Sequence, residues 1–377
     1  MTDICIIGGG AAGMAAAISA KETNPRQRVL ILEKKNQMGK KILASGNGKC
    51  NLSNVRCENY RQTLEFFSRL GLITRTDSAG RIYPYTEEAR AVREALDQRI
   101  RSLGVEVVLD GEAAVVEKEE DRFSVHLGNR IVSADKLLLA CGGKTGPAFG
   151  STGDGFRFAR SLGHKVNKPI PVLTAVDVKE DFTRLAGLRA KGAVSLEYNG
   201  RRIFREEGEI QFTGTGLSGI CVFNLSRFLL LPEGKSLADG FDDYKIYVDF
   251  FPDREEVESL LAKRRENGLE GRKLLQFLVR KPVGDMIFKL SGGDEKKAAR
   301  FLKAFPCSPK GVKGWDFAQV TKGGVAIEEI NMDTMESRLV RGLFFAGEII
   351  DFDGPCGGYN LQNAWETGIK AGKEMAK

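Results

Sequence analysis

Gly8, Gly10 and Gly13 fall in the stretch GGGAAG with the spacing G-x-G-x-x-G. That spacing suits one task, which is laying a peptide turn against a diphosphate. Gly8 allows the tight turn, Gly10 lets backbone approach the phosphates, and Gly13 lets a helix pack closely on a strand. A helix opening at Ala11 and Ala12 would aim its unpaired N–H groups and positive dipole end at the same anion. Glu33 stands twenty residues beyond Gly13, at the end of the apolar run VLIL. A carboxylate there can accept hydrogen bonds from ribose hydroxyls. An acid at this position disfavours a 2′-phosphate, which leaves FAD and NAD as the dinucleotides to be distinguished.

The elements needed to position these residues are present in order. Residues 4–7 form a short β-branched strand, 11–20 an alanine-rich helix, and 29–32 a second strand. Near the other end, residues 342–345 read as a strand that runs directly into Gly347–Glu348. A second glycine turn follows at Gly354, Gly357 and Gly358, and a helix is expected from Asn360 and Leu361. Its small residues Ala364, Gly368, Ala371 and Gly372 share one face, narrow enough for close packing. A long dinucleotide needs such a closing element to hold the end remote from the diphosphate, which favours FAD. Cys356 and Tyr359 flank this turn and carry a thiol and a phenol. Cys356 reads first as a small turn-filling residue, Tyr359 equally as a proton donor or a wall, and sequence leaves the catalytic acid or base unassigned.

Between the two glycine turns lies KKILASGNGKCNLSN, residues 40–54, which reads as a loop because Asn and Gly mark irregular backbone. Residues 105–108, 113–117, 123–127 and 130–132 read as short strands of a meander, and 134–140 as a separate returning strand that ends in Cys141, Gly142 and Gly143. From about residue 165 the pattern turns to strands separated by turns, then to helix-like stretches at 255–261, 271–280 and 295–305. His164, at a helix end, reads as a structural C-cap.

The stretches GGGAAG, GKKILASGNGKCNLSN, GSTGDGFRFARSLGH, GEIQFTGTGLSG, TKGGV, TMESR and GLFFAGEIIDFDGPCGGYNLQNA span nearly the whole chain. In them the sequence resembles a family of bacterial FAD-dependent oxidoreductases that includes aminoacetone oxidase and bile-acid enone reductases. More distantly it resembles fumarate-reductase-type flavoproteins. The resemblance implies an α/β chain: a discontinuous Rossmann-type FAD-binding domain with an inserted antiparallel β domain and a small helical subdomain. The expected boundaries are 1–164 and 331–377 for the FAD domain, 165–250 and 309–330 for the β insertion, and 251–308 for the helical subdomain.

The resemblance also implies that residues 40–54 run along the diphosphate and ribityl chain. Lys41 and Lys49 would then neutralise charge, Gly46 would turn N–H groups inward, and Ser45, Asn47 and Asn51 would supply hydrogen bonds. Cys50 would abut the flavin ring, and Ala113 would contact adenine. Lys34 and Gly142 complete the expected cofactor set. One departure stands out: such families usually place a histidine where this chain has Gly214. The insertion is expected to set substrate choice, with FTGTGLSG the piece reaching towards the flavin.

Composition narrows the remaining classes. The chain has 377 residues and a net charge of +7. Lys and Arg are scattered, with no basic stripe interleaved with aromatics, so nucleic acid is disfavoured as a partner. Seven widely spaced cysteines without a CxxC argue against a disulfide framework and a zinc site, and only two histidines leave no His-rich metal centre. No apolar run approaches a membrane span. These features point to a cytoplasmic protein. With no histidine in the flavin loops, FAD is expected to bind non-covalently. A second glycine fingerprint is absent, so NAD(P)H would dock only transiently as donor to a small-molecule reductase. An amine oxidase using oxygen, a flavin-dependent RNA-modifying enzyme and a flavin-binding protein without turnover are the alternatives.

Overall fold

Strand β1, Thr2–Ile7, is apolar and lies at the centre of a sheet. It pairs in parallel with β2, Val29–Leu32, in the register Ile4↔Val29. Helix α1, Ala11–Thr23, makes the crossover between them. The computed structural model describes residues 2–231 and 240–377. It divides into two units, residues 1–170 with 320–377, and residues 171–319.

In the first unit β2 also pairs in parallel with Glu106–Val108, reached through the helix Ala89–Ser102. On its other side β1 pairs with Arg130–Leu139. The meander reads differently from the sequence expectation. Residues 130–139 are one ten-residue strand, where two separate strands were expected. Its first half pairs antiparallel with Arg122–Leu127, and its second half pairs in parallel with Leu343–Phe345. Ser133, Asp135 and Lys136 interrupt the apolar run. They lie where the strand passes from one neighbour to the other.

The closing helix, Tyr359–Met375, starts one residue earlier than expected and packs on α1. A Cβ on Gly368 would sit 2.4 Å from the carbonyl oxygen of Ala12, and one on Gly372 would sit 2.2 Å from that of Ala16. Only glycine fits where two helix backbones approach this closely. The small-residue face read from the sequence is therefore the contact face. Trp365, fully buried, donates its indole N–H to the Leu52 carbonyl at 3.1 Å.

The expected loop at 40–54 is partly helical. Helix α2, Lys40–Ala44, buries Ile42 and ends in a 3-10 turn at Ser45–Gly48. Lysines and a single apolar anchor carry no readable periodicity over five residues, which is why the helix was missed. The irregular backbone does follow: Gly46, Asn47 and Cys50 all adopt positive φ.

The second unit holds a seven-stranded sheet in the order Phe305–Cys307, Tyr244–Asp249, Arg189–Tyr198, Arg201–Phe212, Gly216–Ser218, Val176–Val178, Pro309–Val312. All its pairings are antiparallel. Its core includes Val194, Leu196, Ile210, Phe212, Ile246 and Val248. The helices are Ile220–Ser226, Val257–Glu266, Lys281–Ser291 and Glu295–Lys303. The helix expected at 271–280 is instead a 3-10 turn, Gly271–Leu275, and a full helix begins only at Lys281. Pro282 explains the shift: lacking an N–H, it is tolerated only in a first turn.

Candidate functional site

The site is built at the carboxyl ends of β1 and β2, within the first unit. After β1 the chain turns at Gly8, where φ is +112°. A Cβ at Gly13 would meet the Gly8 carbonyl oxygen at 1.9 Å, so α1 lies against the strand through bare backbone. Gly10 is the N-cap of α1 and supplies no side-chain cap. A Cβ there would find nothing within 4 Å, so the space beside Gly10 is open. An uncapped helix N-terminus with clear approach fits a diphosphate.

Glu33 does more than the sequence suggested. Its carboxylate accepts from the Gly9 N–H at 2.9 Å and from the Lys35 N–H at 2.8 Å. Burial pushes its pKa up, and these two backbone donors pull against that rise. A carboxylate offers about four acceptor sites, so two bonds to the chain leave capacity for ribose hydroxyls. Gly39, with φ +71°, donates to the Gly9 carbonyl at 2.9 Å. The turn is thus tied on one side to Glu33 and on the other to the start of α2.

The lysines are committed to carboxylates. Lys34 reaches Asp154 at 2.5 Å and also Thr152. Lys41 pairs with Glu348 at 2.7 Å and donates to the Thr145 carbonyl at 3.1 Å. Lys49 pairs with Glu87 at 2.6 Å, well exposed. Glu348 also accepts from the Thr145 hydroxyl at 2.9 Å and from the Thr321 N–H at 2.8 Å. Thr321 in turn accepts from the Lys144 N–H at 2.8 Å. Thr145 and Thr321 were passed over in the sequence, since nothing local marks a threonine as the partner of a distant glutamate. Gly347, with φ +78°, places its Cα against Ala12, which brings the Gly347–Glu348 turn to α1.

At the second glycine turn, Gly358 caps the closing helix without a side chain, and a Cβ there would sit 2.3 Å from the Ser53 carbonyl oxygen, so this turn is packed against residues 51–53. Asn51, with its amide turned to satisfy its neighbours, accepts from the Gly358 N–H at 3.1 Å and donates to the Ser53 carbonyl at 2.9 Å. Asn360 accepts from the Gly354 N–H at 2.8 Å and donates back to its carbonyl at 2.9 Å, clamping the turn. Ser45 donates to the Ile42 carbonyl at 2.6 Å. The side chains of Ser45, Asn51 and Asn360 are thus engaged with backbone, and each shapes its turn. Cys50 is fully buried, which pushes its thiol pKa up to about 12. Ala113 is buried, Leu361 is half-buried, and Gly142 sits at φ +71° against Ser151. Cys356 and Tyr359 are half-buried at this turn.

His164 is tied on both sides. Nδ1 lies 3.0 Å from Glu329 and Nε2 lies 2.8 Å from the Ser337 hydroxyl. Ser337 Oγ also accepts from the N–H groups of Leu339 and Val340. Its own proton therefore goes to Nε2, and Nδ1–H donates to Glu329. His164 N–H closes the preceding helix on the Ala159 carbonyl at 2.9 Å, while the imidazole itself is a buried clasp and caps no carbonyl. Among the described residues no cluster of His, Cys, Asp and Glu could hold a metal ion, and no helix is long and apolar enough to cross a membrane.

The comparisons agree with this geometry. The model of the HI0933-like protein Rossmann domain matches residues 2–61 and 58–374. A 3-dehydro-bile acid delta(4,6)-reductase from Clostridium scindens is 35% identical, with 100% of each chain covered. A ribosomal RNA dihydrouridine synthase from Escherichia coli is 28% identical over 99% of this chain and 98% of its own. Among solved structures, 3-ketosteroid delta1-dehydrogenase from Sterolibacterium denitrificans shares the fold with a TM-score of 0.54 at 13% identity, covering 99% of both chains. A flavocytochrome c3 fumarate reductase gives 0.51 at 16% identity, over 100% of this chain and 78% of its own. The chain belongs to the HI0933-like family of Rossmann-type flavoproteins and is an FAD-dependent oxidoreductase.

Proposed function

We propose that the protein reduces a carbon–carbon double bond conjugated to a carbonyl, using non-covalent FAD that NAD(P)H recharges by docking transiently. The observation that carries this reading is the pair of helix N-termini without side-chain caps, at Gly10 and at Gly358, on two helices packed backbone to backbone. They supply one donor end for the diphosphate and a second for the remote end of the cofactor. Bound FAD would supply hydride transfer through its N5. Glu33 would hold the ribose, Gly10, Ala11 and Ala12 the diphosphate, and the N–H groups of Asn360 and Leu361 the negative charge of the reduced ring.

The acceptor chemistry is suggested by the relatives' names. A 3-dehydro steroid with Δ4,6 unsaturation and the uracil ring both carry a C=C in conjugation with C=O. A small enone is the favoured acceptor, since the relative at 35% identity is a bile-acid reductase. A uridine in RNA is a second reading, and one observation favours it. Phe277 is 90% exposed, with exposed Arg272, Lys273, Arg280 and Lys281 around it in sequence. Residues 251–308 carry thirteen Lys and Arg against nine Asp and Glu. An exposed ring among cations suits base stacking and phosphates.

The test is anaerobic stopped flow. The purified yellow protein is mixed with NADH or NADPH, and bleaching of the flavin is followed. The reduced enzyme is then offered a steroid enone, a uridine-containing RNA, or air. Rapid reoxidation by an enone or by RNA, faster than by air, is the expected result. Reoxidation by oxygen alone, after reduction by an amine, would replace this reading with an oxidase.

A further inference from the structure

Of the lysines expected to meet the phosphates, Lys34, Lys41 and Lys49 each face a carboxylate. Arg93 is different. It stands in the first half of the helix Ala89–Ser102, and its side chain is 17% exposed. Its Nε is buried and has no hydrogen-bond partner. Its nearest carboxylate, Glu94, lies 3.7 Å from Nη2 and already accepts from Arg90 at 2.6 Å. The stem of Arg93 runs along Gly39, where a Cβ would sit 2.9 Å from its Cγ and 3.6 Å from its Cδ. Gly39 in turn holds the carbonyl of Gly9, inside the diphosphate turn.

We infer that Arg93 is a further cofactor-binding residue, whose guanidinium takes a phosphate oxygen of FAD. A buried N–H of a charged group seldom goes without an acceptor in a native protein. A guanidinium fork matches phosphate oxygens in pairs. The diphosphate carries two negative charges, and the site meets them with backbone N–H groups and a helix dipole. Arg93 supplies the full positive charge that the paired lysines do not. The inference rests on FAD occupying the Gly10 turn.

The full-length chain is stripped of flavin, and FAD is titrated by fluorescence quenching for wild type, Arg93→Met and Arg93→Lys. Riboflavin, which lacks the diphosphate, is titrated in parallel, and ADP is used as a competitor. Arg93→Met is expected to weaken FAD and ADP by about tenfold or more, leave riboflavin unchanged and flatten the salt dependence of FAD binding. Arg93→Lys should recover part of the loss. The melting temperature of the stripped protein should fall little, because Nε has no partner to lose, the Glu94 contact is long, and methionine keeps the stem that packs on Gly39. Unchanged FAD affinity in Arg93→Met, or FAD loss matched by a lower melting temperature in both variants, would overturn the assignment. Failure of the wild type itself to bind FAD would overturn the underlying cofactor reading instead.

Discussion

Replacing Glu33 with alanine tests the dinucleotide turn most directly. The sequence alone suggests a loss confined to cofactor affinity, because the carboxylate is expected to serve only ribose. The structure changes that expectation, since both oxygens are bonded to the chain, at Gly9 and Lys35. Removing them orphans two backbone N–H groups, one on buried Gly9 and one on half-buried Lys35. Hydrogen bonds to a charged group contribute about 1.5–3 kcal/mol each. Both bonds are part-buried, so the lower half of the range applies to each, and the first unit should lose about 3–4.5 kcal/mol even without flavin. The ribose bonds add a separate loss in affinity of about 1.5–3 kcal/mol, or roughly ten- to a hundred-fold in Kd. Urea denaturation of the flavin-free protein measures the first quantity, and FAD titration measures the second. Glu33→Gln keeps one acceptor oxygen and should fall between alanine and wild type in both. An alanine variant with unchanged urea midpoint would refute the claim that Glu33 holds the turn, whatever happened to FAD.

Three further outcomes are expected. Gly368→Val should destabilise the first unit by about 3 kcal/mol, because its Cβ would collide with the Ala12 carbonyl; a variant with a wild-type urea midpoint would show that α1 and the closing helix can part cheaply. His164, buried between Glu329 and Ser337, has a pKa held below its usual 6.5, with burial as the main cause. The unfolded chain then takes up the proton first, so His164 contributes stability above pH 6.5 that is lost as pH falls towards the folded pKa. A wild-type-minus-His164→Phe difference in unfolding free energy that stays flat between pH 8 and pH 5 would contradict this. Gly214→His should leave melting nearly unchanged, because a Cβ there meets nothing within 4 Å, and should change the rate at which acceptor reoxidises the flavin. If melting moved and the rate did not, Gly214 would be purely structural.

What could be read beforehand was what repeats locally. Gly8, Gly10 and Gly13 declare themselves by spacing, and Ala364, Gly368, Ala371 and Gly372 by a shared helical face. The strand split at 132–134 failed because a change of neighbour halfway along a strand leaves no local mark. Pairings between distant residues were invisible for the same reason. Lys41 and Glu348 are 307 residues apart, and either one alone reads as a solvated charge. Arg93 lies in ARAVREALDQRIRS among three other arginines, and only burial of its Nε sets it apart. Phe277 was read as part of a helix because its neighbours are good helix formers, whereas its φ of +66° ends any helix there.

The packing of the closing helix on α1 also constrains the order in which the molecule can be made. Asn24, at the end of α1, bonds to a carbonyl 352 residues further on, and Trp365 reaches back 313 residues to Leu52. The strand at 343–345 must likewise enter beside residues 137–139. Such long-range closures are slow steps. During synthesis the alanine face of α1 therefore waits uncovered while the intervening chain emerges, including residues 171–319, which hold a core of their own. Until residues 359–375 dock, the first unit is an open sheet with an exposed apolar helix, a species prone to aggregation. Capture of the dinucleotide thus becomes a late event in the life of the nascent chain.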